Sequence, residues 1–124
     1  MEAVFDELPP AAIKTGMLYS ASIIRAVAGV LSARDAHPVI VDPVMVATSG
    51  AMLLQSSAIR ALQSDLLPLA RLITPNLHEA AILTGRRVST PEQLRAAART
   101  LHKRFGCAVL VKGCLLYTSP SPRD

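Results

Sequence analysis

The chain of 124 residues contains no tryptophan, two phenylalanines and two tyrosines, so any core has to be built from aliphatic side chains. Its two cysteines, Cys107 and Cys114, form neither a CxxC pair nor a metal-ligand set. Cys107 reads as a small core residue rather than a reactive thiol. No apolar run reaches the roughly 18 residues of a membrane span, and no signal peptide opens the chain. A reducing, cytoplasmic compartment is the default expectation. There is no Walker A pattern and no GxGxxG, so a P-loop or a Rossmann dinucleotide site has no support. The net charge of +4 is modest, and the arginines are scattered along predicted helices. No basic patch is interleaved with aromatics, so nucleic acid is not an expected partner. His37, His78 and His102 read as solvated surface positions.

What is present is apolar patterning. Hydrophobic residues make up 51% of the chain, which excludes disorder for most of it. The length suits one small domain. The organising stretch is PVIVDPVMVATSG, Pro38 to Gly50. Val39, Ile40 and Val41 form a β-branched run too short for a helix, which predicts a strand buried on both faces of a parallel sheet. Asp42 ends that strand, and Pro43 stops the ladder because it has no N–H to donate.

Around it the chain alternates. Met1 to Pro10 is a polar lead-in, and Ala12 to Thr15 is a short strand closed by Gly16. Ser20 is an N-cap for a helix to about Ala33, with Ile23, Ile24, Val27, Val30 and Leu31 on one face. Ser56 or Ser57 opens a second helix that Pro68 ends. Leu72 to Thr74 is a strand ended by Pro75. Asn76 caps a short helix to about Thr84, with Gly85 as its left-handed C′ residue. Thr90 caps a further helix with Pro91 in its first position and Gly106 at its end. Ala108 to Lys112 is the last strand. This order predicts an α/β fold of right-handed βαβ units, with a mostly parallel sheet and helices on both faces.

Three strand ends then bring polar groups to one edge of the sheet. They are Asp42 with the Thr48-Ser49-Gly50 loop, the Thr74-Pro75-Asn76-Leu77-His78-Glu79 segment, and Lys112-Gly113. Ligands bind at the carboxyl edge of open α/β sheets. Carboxylates beside small backbone-exposing residues and a lysine suit an Mg²⁺–nucleotide site. Structural readings stand beside this one. Asp42 can cap a turn. Asn76-x-x-Glu79 is also close to a capping box, and a helix N-terminus favours anions in either role. Met17 is more often core than ligand contact, and Lys14 can simply solvate the rim.

The stretches AIKTGML (Ala12–Leu18), VIVDPVMVATSG (Val39–Gly50), LITPNLHEAAILTG (Leu72–Gly85) and AVLVKG (Ala108–Gly113), in this order and spacing, resemble hydroxymethylpyrimidine/phosphomethylpyrimidine kinase. That is the thiamine-pathway branch of the ribokinase-like superfamily. The resemblance implies a partial three-layer ribokinase-like fold and ATP-dependent phosphorylation of hydroxymethylpyrimidine and then of its monophosphate. It implies that Asp42 and Glu79 organise Mg²⁺ and the phosphates, largely through water. Asn76, Glu79, Lys112 and Gly113 would serve the nucleotide. Met17 and Val44 would line the pyrimidine pocket, with Thr48, Ser49 and Gly50 next to the substrate and phosphates. It implies a homo-oligomer for the full-length parent. DPVM followed by Val46-Ala47 points to the pyrimidine kinase over pyridoxal kinase, which more often reads DPVMGD.

Two features depart from the family. The glycine-rich opening strand is not matched, and neither is the late GTGC or GTGD loop that supplies the anion hole and the catalytic residue. The chain therefore reads as a central kinase fragment over 1–113, inactive alone, followed by a disordered, non-native tail over 114–124. The alternatives are pyridoxal kinase or another ribokinase-like vitamin kinase, and a non-catalytic nucleotide-binding module.

Overall fold

The computed structural model describes residues 12–18, 20–33, 38–45, 51–112 and 115–117, the last three by their backbone. Four strands run parallel: β1 (Ile13–Thr15), β2 (Val39–Val41), β3 (Leu72–Ile73) and β4 (Ala108–Val111). A fifth, β5 (Leu115–Tyr117), pairs antiparallel with β4, giving the spatial order β1-β2-β3-β4-β5. In register, Thr15 lies beside Val41, Val41 beside Ile73, and Ile73 beside Val109.

The helices start and stop where local chemistry dictates. In α1 (Ala21–Ser32), the Ser20 hydroxyl accepts the Ile23 N–H at 3.3 Å. Helix α2 (Ser56–Ala61) does not continue as a regular helix to Pro68. It widens into a π turn over Leu62–Leu66 and tightens into a 3₁₀ turn over Leu67–Leu69. Pro68 has no N–H for the carbonyl four residues back, so the regular ladder cannot run through it. The irregular path lets Leu62, Leu66 and Leu67 all bury. Helix α3 (Leu77–Thr84) ends on Gly85 at φ +68°, and α4 (Pro91–Phe105) ends on Gly106 at φ +70°. Glycine enters that left-handed region without a Cβ penalty. At the start of α4, Thr90 and Gln93 form a capping box.

Each crossover steps to the next strand in the same direction. Right-handed crossovers of that kind leave their helices on one face of the sheet. Burial follows this rule. Val39, Val41, Ile73, Val109 and Val111 are buried in one cluster with Ile24, Leu31, Leu66, Leu83 and Leu101 from the helical layer. On the opposite face Lys14 is exposed, and Ile40, Leu72 and Leu110 are only partly buried. The parallel α/β architecture is as expected. The described helices occupy one face of it, so Val39–Val41 is not buried on both sides. The sequence also offered nothing ordered after Gly113, whereas Leu115–Tyr117 is a paired strand. The lead-in Met1 to Pro10, His37 and residues 118–124 lie outside the described residues. Among the described residues, no helix is long and apolar enough to cross a membrane.

Candidate functional site at the carboxyl edge of the sheet

The parallel strands deliver Thr15, Asp42, Thr74 and Lys112 to one edge. The ladder continues one step past each strand. Asp42 N–H donates to the Thr15 carbonyl at 3.0 Å, Thr74 N–H to Val41 at 3.0 Å, and Lys112 N–H to Pro75 at 3.0 Å. Pro43 then breaks the ladder, and Val44 N–H turns back onto the Asp42 carbonyl at 2.8 Å.

Asp42 and Lys112 meet directly. Lys112 Nζ lies 3.2 Å from Asp42 Oδ1 and 3.3 Å from Oδ2. Their strands are separated by β3, so the lysine stem reaches over the end of that strand. The two side chains retain 18% and 44% of their exposure, which leaves both open to a ligand at the edge.

Asn76 and Glu79 form the capping box that their spacing allowed. Glu79 N–H donates to Asn76 Oδ1 at 2.8 Å, and Asn76 N–H donates to Glu79 Oε1 at 3.0 Å. A further contact has no counterpart in the local pattern. Met45 N–H donates to Glu79 Oε2 at 3.0 Å, across 34 residues. Glu79 is 1% exposed, so its carboxylate is held by backbone amides rather than by water.

The remaining expected residues divide as follows. Met17 is partly buried against the core, and Val44 is partly exposed beside Asp42. Thr48, Ser49, Gly50 and Gly113 lie outside the described residues. The base of the loop that carries the first three is closed, because Leu53 N–H donates to the Met45 carbonyl at 2.6 Å. Lys14 is exposed on the sheet face away from the helices. His78 is exposed as expected, but His102 is partly buried, with Nδ1 2.7 Å from the Cys107 carbonyl oxygen. Cys107 is buried, and its thiol is pushed up to about 11 by desolvation, which makes it inert.

Sequence reasoning missed Thr15. It is 7% exposed at the end of β1, and its hydroxyl has no hydrogen-bond partner. No pattern in Ala12–Leu18 signals this, because burial of that hydroxyl depends on the strand pairing.

Grooves also lie elsewhere among the described residues. One of about 370 Å³ runs between the starts of α3 and α4, lined by Leu77, Val88, Thr90, Pro91 and Leu94. Another of about 540 Å³ lies beside the π turn, with Arg60, Gln63, Arg104 and Phe105 in its wall. Neither contains Asp42 or Lys112.

Among the described residues, no group of three or more His, Cys, Asp or Glu could hold a metal ion on its own. Magnesium that arrives with a nucleotide does not need such a cage. It keeps its waters and uses one or two carboxylates plus phosphate oxygens. An accessible Asp42 flanked by a lysine fits that demand.

The model of a family described as phosphomethylpyrimidine kinase matches residues 1–123. A Geobacter sulfurreducens thiamine biosynthesis bifunctional protein is 47% identical over 113 residues, covering 91% of this chain and 23% of that protein. A Synechococcus elongatus hydroxymethylpyrimidine/phosphomethylpyrimidine kinase is 44% identical over 113 residues, covering 91% of this chain and 43% of its own length. The chain thus spans less than half of either curated relative. Among solved structures, a Clostridium difficile phosphomethylpyrimidine kinase superposes with TM-score 0.85 at 36% identity, over 95% of this chain and 51% of that one. An ADP complex of Bacillus subtilis pyridoxal kinase superposes with TM-score 0.75 at 35% identity, over 84% of this chain and 39% of that one.

Proposed function

Because this chain belongs to the phosphomethylpyrimidine kinase family, we propose that the whole protein phosphorylates hydroxymethylpyrimidine and then its monophosphate with ATP and Mg²⁺. The observation that carries this reading is the Asp42–Lys112 pair at the carboxyl edge, 3.2 Å apart and partly exposed. Phosphoryl transfer requires positioning and charge neutralisation more than covalent chemistry from the protein. Without ligand, Lys112 is the counter-ion of Asp42. Asp42 would hold the water shell of a magnesium ion arriving with ATP, and Lys112 would release Asp42 to pair with phosphate oxygens. The metal would supply charge neutralisation at the phosphates. Asn76 sits where the α3 N-terminus favours an anion. In this reading Met17 and Val44 would line the pyrimidine side, Thr48, Ser49 and Gly50 would serve the substrate and phosphates, and Gly113 would serve the nucleotide with Lys112.

The likeness to pyridoxal kinase structures favours one second reading, a vitamin kinase acting on pyridoxal. Val46-Ala47 after DPVM argues for the pyrimidine. The test is phosphate transfer by the complete kinase, offered hydroxymethylpyrimidine, its monophosphate and pyridoxal in parallel. The reading expects turnover of both pyrimidines. Turnover of pyridoxal alone would replace it with the second reading, and no transfer to any of the three would remove both.

A further inference from the structure

We propose that Glu79 is a positioning residue whose buried carboxylate fixes the Val44–Met45 peptide unit, and that it is not a metal ligand. A capping box needs one carboxylate oxygen, and Oε1 supplies it to the Asn76 N–H. Oε2 is then free of any helical duty, and it accepts the Met45 N–H at 3.0 Å. At 1% exposure the carboxylate presents no face to an ion or its waters. Burying a carboxylate is costly unless hydrogen bonds replace the lost water. Two backbone amides and the N-terminal end of α3 do so here.

The consequence lies in the peptide plane. No peptide bond among the described residues is cis. In a trans peptide, N–H and C=O point in opposite directions. With the Met45 N–H turned onto Glu79, the Val44 carbonyl points away from it. Both ends of this short turn are anchored. Asp42 N–H is bonded to Thr15, and Val44 N–H is bonded to the Asp42 carbonyl. The Met45 carbonyl accepts from Leu53 and, at 3.4 Å, from Leu54. Glu79 therefore sets where Val44 stands relative to the Asp42 carboxylate, which is the spacing between acceptor substrate and phosphate edge. The kinetic part of this inference rests on the kinase reading above, whereas the tie itself does not.

Two measurements test it. The first is amide hydrogen exchange on the 124-residue chain, with and without Glu79→Gln. The Met45 amide should be protected in the unsubstituted chain. Glutamine has one acceptor oxygen and can keep only one of the two amides. Its protection at Met45 should fall about tenfold, with the amides of α4 unchanged as a control for folding. The second is kinetics of the complete kinase carrying Glu79→Gln. The KM for the pyrimidine should rise about tenfold, with the Mg²⁺ concentration for half-maximal rate unchanged. Open-loop exchange of Met45 in the unsubstituted chain overturns the proposal, and that result does not depend on the variant folding. A raised Mg²⁺ requirement with an unmoved pyrimidine KM also overturns it and makes Glu79 a metal ligand. If the complete kinase phosphorylates no pyrimidine, the functional reading falls, and exchange at Met45 still decides the tie.

Discussion

Lys112 at the end of β4 and Asp42 at the end of β2 are 70 residues apart in sequence, and their charged atoms meet at 3.2 Å above the end of β3. Neither belongs to the buried core, and the strand between them contributes no charge to the contact. The pair is therefore free to exchange partners. An exposed ion pair contributes about 0–1 kcal/mol to stability, so its value lies in what it can bind.

Replacing Asp42 with asparagine should separate stability from activity. Urea unfolding of the chain should change by less than about 1 kcal/mol. In the complete kinase, the same change should lower the Mg²⁺-dependent rate by about 100-fold, because the carboxylate that would hold the magnesium at the transferring phosphoryl group is lost. Equal rates for the two proteins would make Asp42 a turn residue and nothing more.

Removing the cap residues should give a graded loss. Asn76→Ala removes one N-cap acceptor and should cost about 1 kcal/mol. Glu79→Ala strands two amides, those of Asn76 and Met45, and should cost more, on the order of 3 kcal/mol. Denaturation midpoints of the two variants check the order. An Asn76 variant weaker than the Glu79 variant would contradict the double role of that carboxylate.

Thr15 offers the opposite sign. Its hydroxyl is buried without a partner, so Thr15→Val should leave the ligand-free chain as stable as before or more stable by about 1 kcal/mol. Thermal unfolding reads this directly. A clear loss of stability would mean that the hydroxyl is satisfied in solution.

Cys107 predicts an alkaline limit. Desolvation holds its thiol up at about 11, against an ordinary value of 9.0. The unfolded chain therefore releases this proton first as pH rises. The contribution is fully present below pH 9 and is lost progressively between about pH 9 and pH 11, by roughly 2 kcal/mol in total. Stability measured across that range should fall less steeply in Cys107→Ala. At pH 8 the Cys107 thiol should react with a thiol reagent only after unfolding.

Much of the fold was legible because its signals are local. The caps at Ser20, Asn76 and Thr90 and the glycines at 85 and 106 act over three or four residues, and each stands where the pattern put it. The four parallel strands were found within a residue or two of their ends, because β-branched runs closed by Gly16, Pro43 and Pro75 leave little choice, whereas the strand at Leu115–Tyr117 was not expected. His102 was misjudged as a surface residue, because its partner is the Cys107 carbonyl beyond the helix end. The π turn was missed because Pro68 signals a break without saying how the chain resolves it.

The amino-acid sequence by itself determined the four parallel strands and the main helices, their order, and which of them end in polar residues. Short-range hydrogen bonding and side-chain branching decide those matters within a few residues. Tertiary structure alone decided which ends meet. The parallel order β1-β2-β3-β4 puts the described helices on one face. It also sets Lys112 across β3 from Asp42 and hands the spare oxygen of a helix cap to Met45, 34 residues away. Those contacts follow from strand order, register and crossover hand, which no local pattern encodes.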